Sequence, residues 1–215
     1  MNQKVGISAI TTYVPSYRVG LEDWCHWTNN SWDKINSIIG SGFRMLGPDE
    51  SIYTMAANAV LDLIVENDIK PNQIGFLALG TESSTDNSAG TIIIKGMVNE
   101  ELKSRGIDPI SNQCEVPEFK QACLSGIYAL KNAVRYINSD APEKKAIVVC
   151  SDIALYKTSQ RARFFRSLRG NSLICGNDFG AQIWVVFEIG RNYREKEDFK
   201  PLFLRISLVT GGGNW

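Results

Sequence analysis

An uninterrupted apolar run, Ile74-Gly75-Phe76-Leu77-Ala78-Leu79, ends at Gly80 and passes straight into the polar stretch Thr81-Glu82-Ser83-Ser84-Thr85-Asp86. A strand with one wet face alternates apolar and polar residues, whereas a strand covered on both faces does not. The run therefore predicts a strand at 74–80 with helices above and below it. A second run, Ile147-Val148-Val149-Cys150, repeats the pattern inside a predicted strand at 145–151. Further strands are predicted at 4–12 and near 112–116. Helices are predicted at 51–66, 88–104 and 124–138, with a short one in a polar segment near 20–40. Pro71 and Gly106-Ile107-Asp108-Pro109 punctuate the connections. Strands separated by helices imply an α/β fold with a mostly parallel or mixed sheet flanked by helices. No short-period repeat, low-complexity run or linker interrupts the pattern, so one domain is expected over 1–215. An apolar fraction of 44% is enough for a sizeable core.

Two positions in this frame carry chemistry. Glu82 lies just past the carboxyl end of the 74–80 strand, which is where open α/β sheets bind ligands. A carboxylate there can serve as a general base; it can equally be a solvated turn acid. Cys123 stands ahead of an amphipathic helix marked by Ile127, Leu130, Val134 and Ile137, with Lys131 and Arg135 between them. Unsatisfied N–H groups and the positive end of a helix dipole favour a thiolate, the nucleophilic form. Ala122, Ser125 and Gly126 are small and leave room for a substrate. The alternative is a cysteine that is one more small buried hydrophobe.

Read together, the segments bear a family likeness. Gly80, Thr81, Glu82, Ser83 and Asp86 match a G-T-E-S-x-x-D stretch, and Glu118, Lys120, Ala122 and Cys123 match an E-x-K-x-A-C stretch. In this order and separation they resemble the 3-hydroxy-3-methylglutaryl-CoA synthases of the thiolase-like condensing enzymes. Weaker likenesses follow the same order: Val5-Gly6-Ile7 through Val14-Pro15, Thr54 to Ala59, and Ile147 to Ala154. The resemblance covers about residues 4 to 157 and implies the N-terminal half of a two-half thiolase-like fold. It implies an acyltransferase in which Cys123 takes an acetyl group from acetyl-CoA. Glu82 then acts as general acid/base while the acetyl carbanion attacks a 3-ketoacyl thioester such as acetoacetyl-CoA. The implied setting is mevalonate/isoprenoid biosynthesis, or polyketide β-branching on carrier-protein-bound chains. No cofactor beyond the CoA or carrier-protein thioesters is implied. Glu82 argues against the ketoacyl synthase III branch.

The chain departs from the family in several places. The family's catalytic histidine belongs to its second half, whereas the single histidine here is His26, in Asp23-Trp24-Cys25-His26-Trp27; it reads as a surface or packing residue. Leu124 stands where an aromatic often follows the nucleophile, and Asn87-Ser88 replaces a Ser-Lys pair. Residues 157–215 diverge. Arg161, Arg163, Arg166 and Arg169 form a basic stretch read as a solvated face, Phe179–Phe187 reads as another strand, Asn192–Asp198 as a charged turn, and Leu202–Val209 as a last strand. The glycine-rich ending at Thr210-Gly211-Gly212-Gly213 suggests a truncated product or one chain of a split enzyme. A homodimer or a second chain completing the fold is expected, and catalytic incompleteness of the chain alone is the alternative to full activity.

Charge and cysteine usage set further bounds. With 23 basic and 23 acidic side chains the net charge is zero, which exerts no global pull toward nucleic acid or a membrane surface. No run reaches transmembrane length and the N-terminus lacks a signal-peptide layout. Five cysteines without C-x-x-C spacing argue against zinc and fit a reducing, cytoplasmic setting. Cys150 reads as inert packing, while Cys114 and Cys175 are ambiguous. Trp24, Trp27 and Trp32 read either as packing for a helix or as a border to the substrate entrance.

Overall fold

The computed structural model describes residues 5–33, 36, 41–153 and 184–190. The basic stretch, the charged turn, the Leu202–Val209 segment and Cys175 lie outside them. Two compact units are present, and each is described by itself.

The first unit, over residues 5–13, 50–152 and 184–190, is built on a five-stranded sheet. Its strands are β1 (Gly6–Tyr13), β4 (Ile74–Gly80), β5 (Glu118–Phe119), β6 (Lys145–Cys150) and β7 (Trp184–Gly190), in the spatial order β1-β7-β6-β4-β5. β4 pairs in parallel with β5 and β6, while β7 runs antiparallel to β6 and β1. The sheet is therefore mixed, and its parallel part is the part expected from the apolar runs. Every residue of β4 is buried, as an unalternating strand requires.

Helix α2 (Ile52–Glu66) starts where the sequence supplies a cap. The Thr54 N–H donates to Ser51 Oγ at 3.2 Å, and the Ser51 N–H donates back to Thr54 Oγ1 at 2.7 Å. This reciprocal pair satisfies donors that have no intrahelical partner. Helix α3 (Gly90–Ser104) and helix α4 (Ser125–Ser139) complete the layers. Phe76 and Ala78 of β4 and Ala146 and Val148 of β6 pack with Ala129, Ala133, Tyr136 and Ile137 of α4. The alternate residues Leu77, Leu79, Ile147 and Val149 point the other way and are fully buried. Small residues on α4 let it lie close to the sheet.

One expected strand is displaced. Pairing alongside β4 was predicted near 112–116, yet the ladder runs from Glu115 to Phe119. Leu77 donates to Glu115 O at 2.9 Å, Leu79 to Pro117 O at 3.2 Å and Thr81 to Phe119 O at 3.0 Å. Residues 111–114 are instead spent on a turn closed by Cys114 N–H on Ser111 O, and Pro117 interrupts the ladder because it has no N–H to donate. The predicted strand within Phe179–Phe187 corresponds to β7, which begins at Trp184.

The second unit, over residues 14–33 and 41–49, holds a hairpin and a helix. β2 (Tyr17–Gly20) pairs antiparallel with β3 (Gly42–Met45), and α1 (Leu21–Thr28) follows β2 directly. Neither hairpin strand was foreseen, since each is only four residues long. Trp24 and Trp32 pack on Leu21 and Cys25, whereas Trp27 is 70% exposed.

Gly80 ends β4 where the backbone of α4 crosses it. A Cβ at residue 80 would come within 2.7 Å of the Gly126 nitrogen and 2.8 Å of its Cα. Backbone atoms cannot rotate away as a side chain can. Gly80→Ala is accordingly expected to destabilise the first unit by about 1–3 kcal/mol through overpacking, read as a lower urea midpoint at unchanged m-value.

Candidate active site

Three parallel strands finish level with one another. Gly80 stands opposite Phe119 on one side and Cys150 on the other. Whatever follows each strand therefore converges on one edge of the sheet: Thr81 and Glu82 after β4, Lys120 to Cys123 after β5, and Ser151 and Asp152 after β6. The ladder runs slightly past the strand ends, with the Ser151 N–H donating to Gly80 O at 3.2 Å.

The turn that carries Glu82 is held by one carboxylate. Asp152 Oδ1 accepts from the Thr81 hydroxyl at 2.9 Å, the Glu82 N–H at 2.7 Å, the Ser83 N–H at 3.0 Å and the Ser83 hydroxyl at 2.7 Å. Hydrogen bonds to an ionised acceptor are stronger than neutral ones. Glu82 itself is exposed, so its backbone is fixed while its side chain is accessible.

Cys123 is presented by a tight turn. The Leu124 N–H donates to Gln121 O and the Ser125 N–H to Ala122 O, each at 3.1 Å. Buried Ser125 accepts from the Gln121 N–H at 2.8 Å, and its hydroxyl lies 2.6 Å from Ala122 O and 3.1 Å from Thr81 O. Ala122 has φ 48, a left-handed backbone that costs an L-residue about 1 kcal/mol. That strain sits on the residue before the half-buried cysteine, where the network overdetermines the chain path.

The result brings the two expected residues together: the Cys123 thiol donates to Glu82 Oε2 across 3.7 Å. The expected preference for thiolate is not met. Burial, the charge of Glu82 and the hydrogen bond to its carboxylate push the thiol up, with Asp152 adding to them and the Cys123 N–H opposing. The physical reason lies in the helix boundary. α4 begins at Ser125 with Leu124 as its cap, so Cys123 precedes the cap and receives little of a helix-end effect that fades within the first turn. A whole negative charge at contact outweighs it. The small neighbours also serve packing before access: Ser125 is 2% exposed, and a Cβ at Gly126 would meet Cys150 Sγ at 2.5 Å.

Residues 1–177 match the family described as hydroxymethylglutaryl-coenzyme A synthase, N terminal. The chain belongs to the hydroxymethylglutaryl-CoA synthase family. It is 32% identical over 157 residues to the hydroxymethylglutaryl-CoA synthase of Gibberella zeae, a match covering 72% of this chain and 32% of that one. Among solved structures it resembles MvaS in complex with 3-hydroxy-3-methylglutaryl coenzyme A, with TM-score 0.71, 27% identity, and coverage of 89% of this chain and 41% of that one. The HMG synthase of the curacin biosynthetic pathway in complex with holo donor-ACP shares the fold at TM-score 0.68 and 21% identity, over 88% of this chain and 42% of that one. The chain thus spans about a third of the length of its curated relatives. The thiolase-like expectation holds, and what is seen is the N-terminal part of that architecture.

His26 lies on α1 in the second unit and is exposed. Cys114 is buried and its thiol is pushed up to about 11 by that burial, which leaves it unreactive near neutral pH. Cys150 lies against Gly126 and fills space there. Among the described residues, no group of three or more His, Cys, Asp and Glu is placed to hold a metal ion, and no helix is long and apolar enough to cross a membrane. Sequence reasoning assigned no role to Asp152, although it stands just past an apolar strand as Glu82 does. The rule that singled out Glu82 applies equally to it.

Removing the anchor should be costly. Asp152→Ala leaves the buried Thr81 hydroxyl and the Glu82 N–H without their acceptor, while the Ser83 N–H keeps Thr81 Oγ1 at 3.2 Å, for an expected loss of about 1–3 kcal/mol. Asp152→Asn keeps one acceptor oxygen and should lose less. Urea unfolding of the two variants against the parent checks the order; equal stability of all three would contradict the anchoring role.

Proposed function

We propose that this chain carries the acyl-accepting half of a hydroxymethylglutaryl-CoA synthase reaction, with Cys123 as nucleophile and Glu82 as general acid/base. The supporting observation is the 3.7 Å contact between Cys123 Sγ and Glu82 Oε2 at the shared end of three parallel strands. A thiol held as a thiol beside a carboxylate suits a nucleophile activated on demand rather than one stored as thiolate. As Cys123 attacks the carbonyl carbon of acetyl-CoA, its proton passes to Glu82. The new S–C bond forms, the old thioester C–S bond breaks, and the proton on Glu82 moves to the departing thiolate. Glu82 is then again a carboxylate, free to take a proton from the acetyl methyl group. The carbanion so formed attacks the 3-keto carbon of an acceptor such as acetoacetyl-CoA. The Cys123 N–H, beside the sulfur and ahead of the helix, is one candidate donor for the oxyanion of the first step.

Two points of this reading concern completeness. The condensation also needs the second substrate oriented and activated, and the family resemblance assigns that role to a histidine in the second half of the family's sequence. Because the chain spans 41% of the MvaS chain, partner-dependent activity is the second reading. The donor and acceptor could ride on CoA or on a carrier protein, since one structural neighbour was solved with a CoA thioester and another with a donor carrier protein.

The test is peptide-level mass spectrometry after incubation of the purified chain with acetyl-CoA. We expect one acetyl group on Cys123, absent in Cys123→Ala and retained in Cys150→Ala. Equal labelling of those two variants would overturn the assignment of Cys123. No adduct on a folded chain would favour the partner-dependent reading, in which acylation itself waits for a second half.

A further inference from the structure

Beyond the reacting pair, one carboxylate is buried without an assigned task. The Glu118 side chain has no exposed surface. It lies on β5, opposite Leu79 of β4. Its Oε1 accepts from the Ser84 hydroxyl at 2.7 Å and its Oε2 from the Gly90 N–H at 2.7 Å. Lys120 Nζ approaches Oε1 at 3.4 Å and also donates to the Asp86 carbonyl at 2.5 Å. A buried carboxylate is expensive unless each lone pair finds a donor. Here the donors come from both the turn and the helix behind it.

This cluster is more than a helix cap. The Gly90 N–H already has a second acceptor in Asp86 Oδ1 at 3.1 Å, and Asp86 also accepts from the Ala89 N–H and the Tyr53 hydroxyl. Burial alone would raise the Asp86 carboxyl; the Tyr53 hydroxyl, the Ala89 N–H and the charge of Lys120 outweigh it and hold it below its usual range. What Glu118 adds is the tether to Ser84. The Glu82 turn is thus pinned at its near end by Asp152 and at its far end by Glu118. Five residues after Glu118, the same strand exit delivers Cys123.

We propose that Glu118 is a positioning residue: through Ser84 it ties the turn bearing Glu82 to the segment bearing Cys123 and so sets the separation of the two reacting groups. The inference rests on the Cys123–Glu82 reading and deepens it. Neither Ser84 nor Glu118 touches the sulfur, so both act through Glu82. The charged groups acting on the sulfur are Glu82 from the turn after β4 and Asp152 from the exit of β6.

The pH dependence of Cys123 alkylation by iodoacetamide, resolved by peptide mass spectrometry, reads this separation without requiring turnover. A nearby negative charge raises a thiol, so moving or removing Glu82 lowers the alkylation midpoint. We expect Glu82→Gln to lower it most. Ser84→Ala and Glu118→Gln should lower it in the same direction, giving about threefold faster alkylation at neutral pH. In the Glu82→Gln background neither should move it further. Equal shifts in both backgrounds would mean a direct effect on the sulfur and overturn the proposal, as would no shift from either variant beside an intact Glu82. If Glu118→Gln fails to fold, Ser84→Ala decides, because it leaves the Gly90 contact in place. A midpoint that ignores Glu82→Gln itself would overturn the paired-site reading instead, and this inference with it.

Discussion

Everything at the candidate site depends on the parallel pairing of β4 with two partners at once. Parallel neighbours deliver their carboxyl ends to the same edge, and here Gly80, Phe119 and Cys150 finish level. Antiparallel neighbours would have sent the following loops to opposite ends. The antiparallel β7 sits beyond β6, where it extends the sheet without disturbing that convergence. Helices on both faces make the pairing possible, since a strand with no polar face needs two apolar walls. Gly80 then lets the start of α4 approach the end of β4 more closely than any side chain would allow, and Gly126 does the same toward Cys150 at the end of β6. The chain thus reaches Cys123 through a turn that is already in register with Thr81.

The electrostatics of the pair follow from this convergence rather than from helix geometry. A helix N-terminus supplies a partial positive charge, and a cysteine within the first turn would gain from it. Cys123 stands outside that turn and within reach of Glu82 and Asp152, both negative. Burial and contact with a full negative charge together push the thiol up, and it keeps its proton. That arrangement suits the role proposed for Cys123, which would release an acyl group as well as accept it. A strongly stabilised thiolate would be a good leaving group but a weaker nucleophile. A thiol with a carboxylate beside it becomes a nucleophile only when a proton can be handed over.

The layers and the candidate pair Glu82 and Cys123 were legible in the sequence, because each rests on a local rule. Ile74–Gly80 and Lys145–Cys150 lack alternation, α2 begins at a Ser-x-x-Thr cap, Glu82 lies just past a buried strand, and Cys123 stands just ahead of an amphipathic helix. What could not be read was everything decided across the chain. The ladder beside β4 lies at 115–119 because residues 111–114 are taken up by a turn that nothing local marks. The hairpin of β2 and β3 is too short to show a period. The thiol's protonation was misjudged because it depends on Glu82, which is 41 residues away in sequence and in contact through space. Asp152 and Glu118 escaped for a similar reason: their partners are the Glu82 turn and the start of α3, and only the folded chain joins them.

In the proposed reaction a single carboxylate takes a proton from a thiol, returns it to a leaving group and then takes another from carbon, so it has to stay within reach of each in turn. Its side chain needs freedom while its backbone must not drift, since a displacement of even an ångström weakens such transfers steeply. The exposed Glu82 side chain on a turn pinned at both ends meets that requirement. The near anchor comes from β6 and the far anchor from β5, the two strands that flank β4. A shift of either neighbour relative to β4 would therefore be felt at Glu82 before it was felt in the core. The layers that shelter β4 and the acids that hold its exit are parts of one constraint: the sheet's register is also the register of the site.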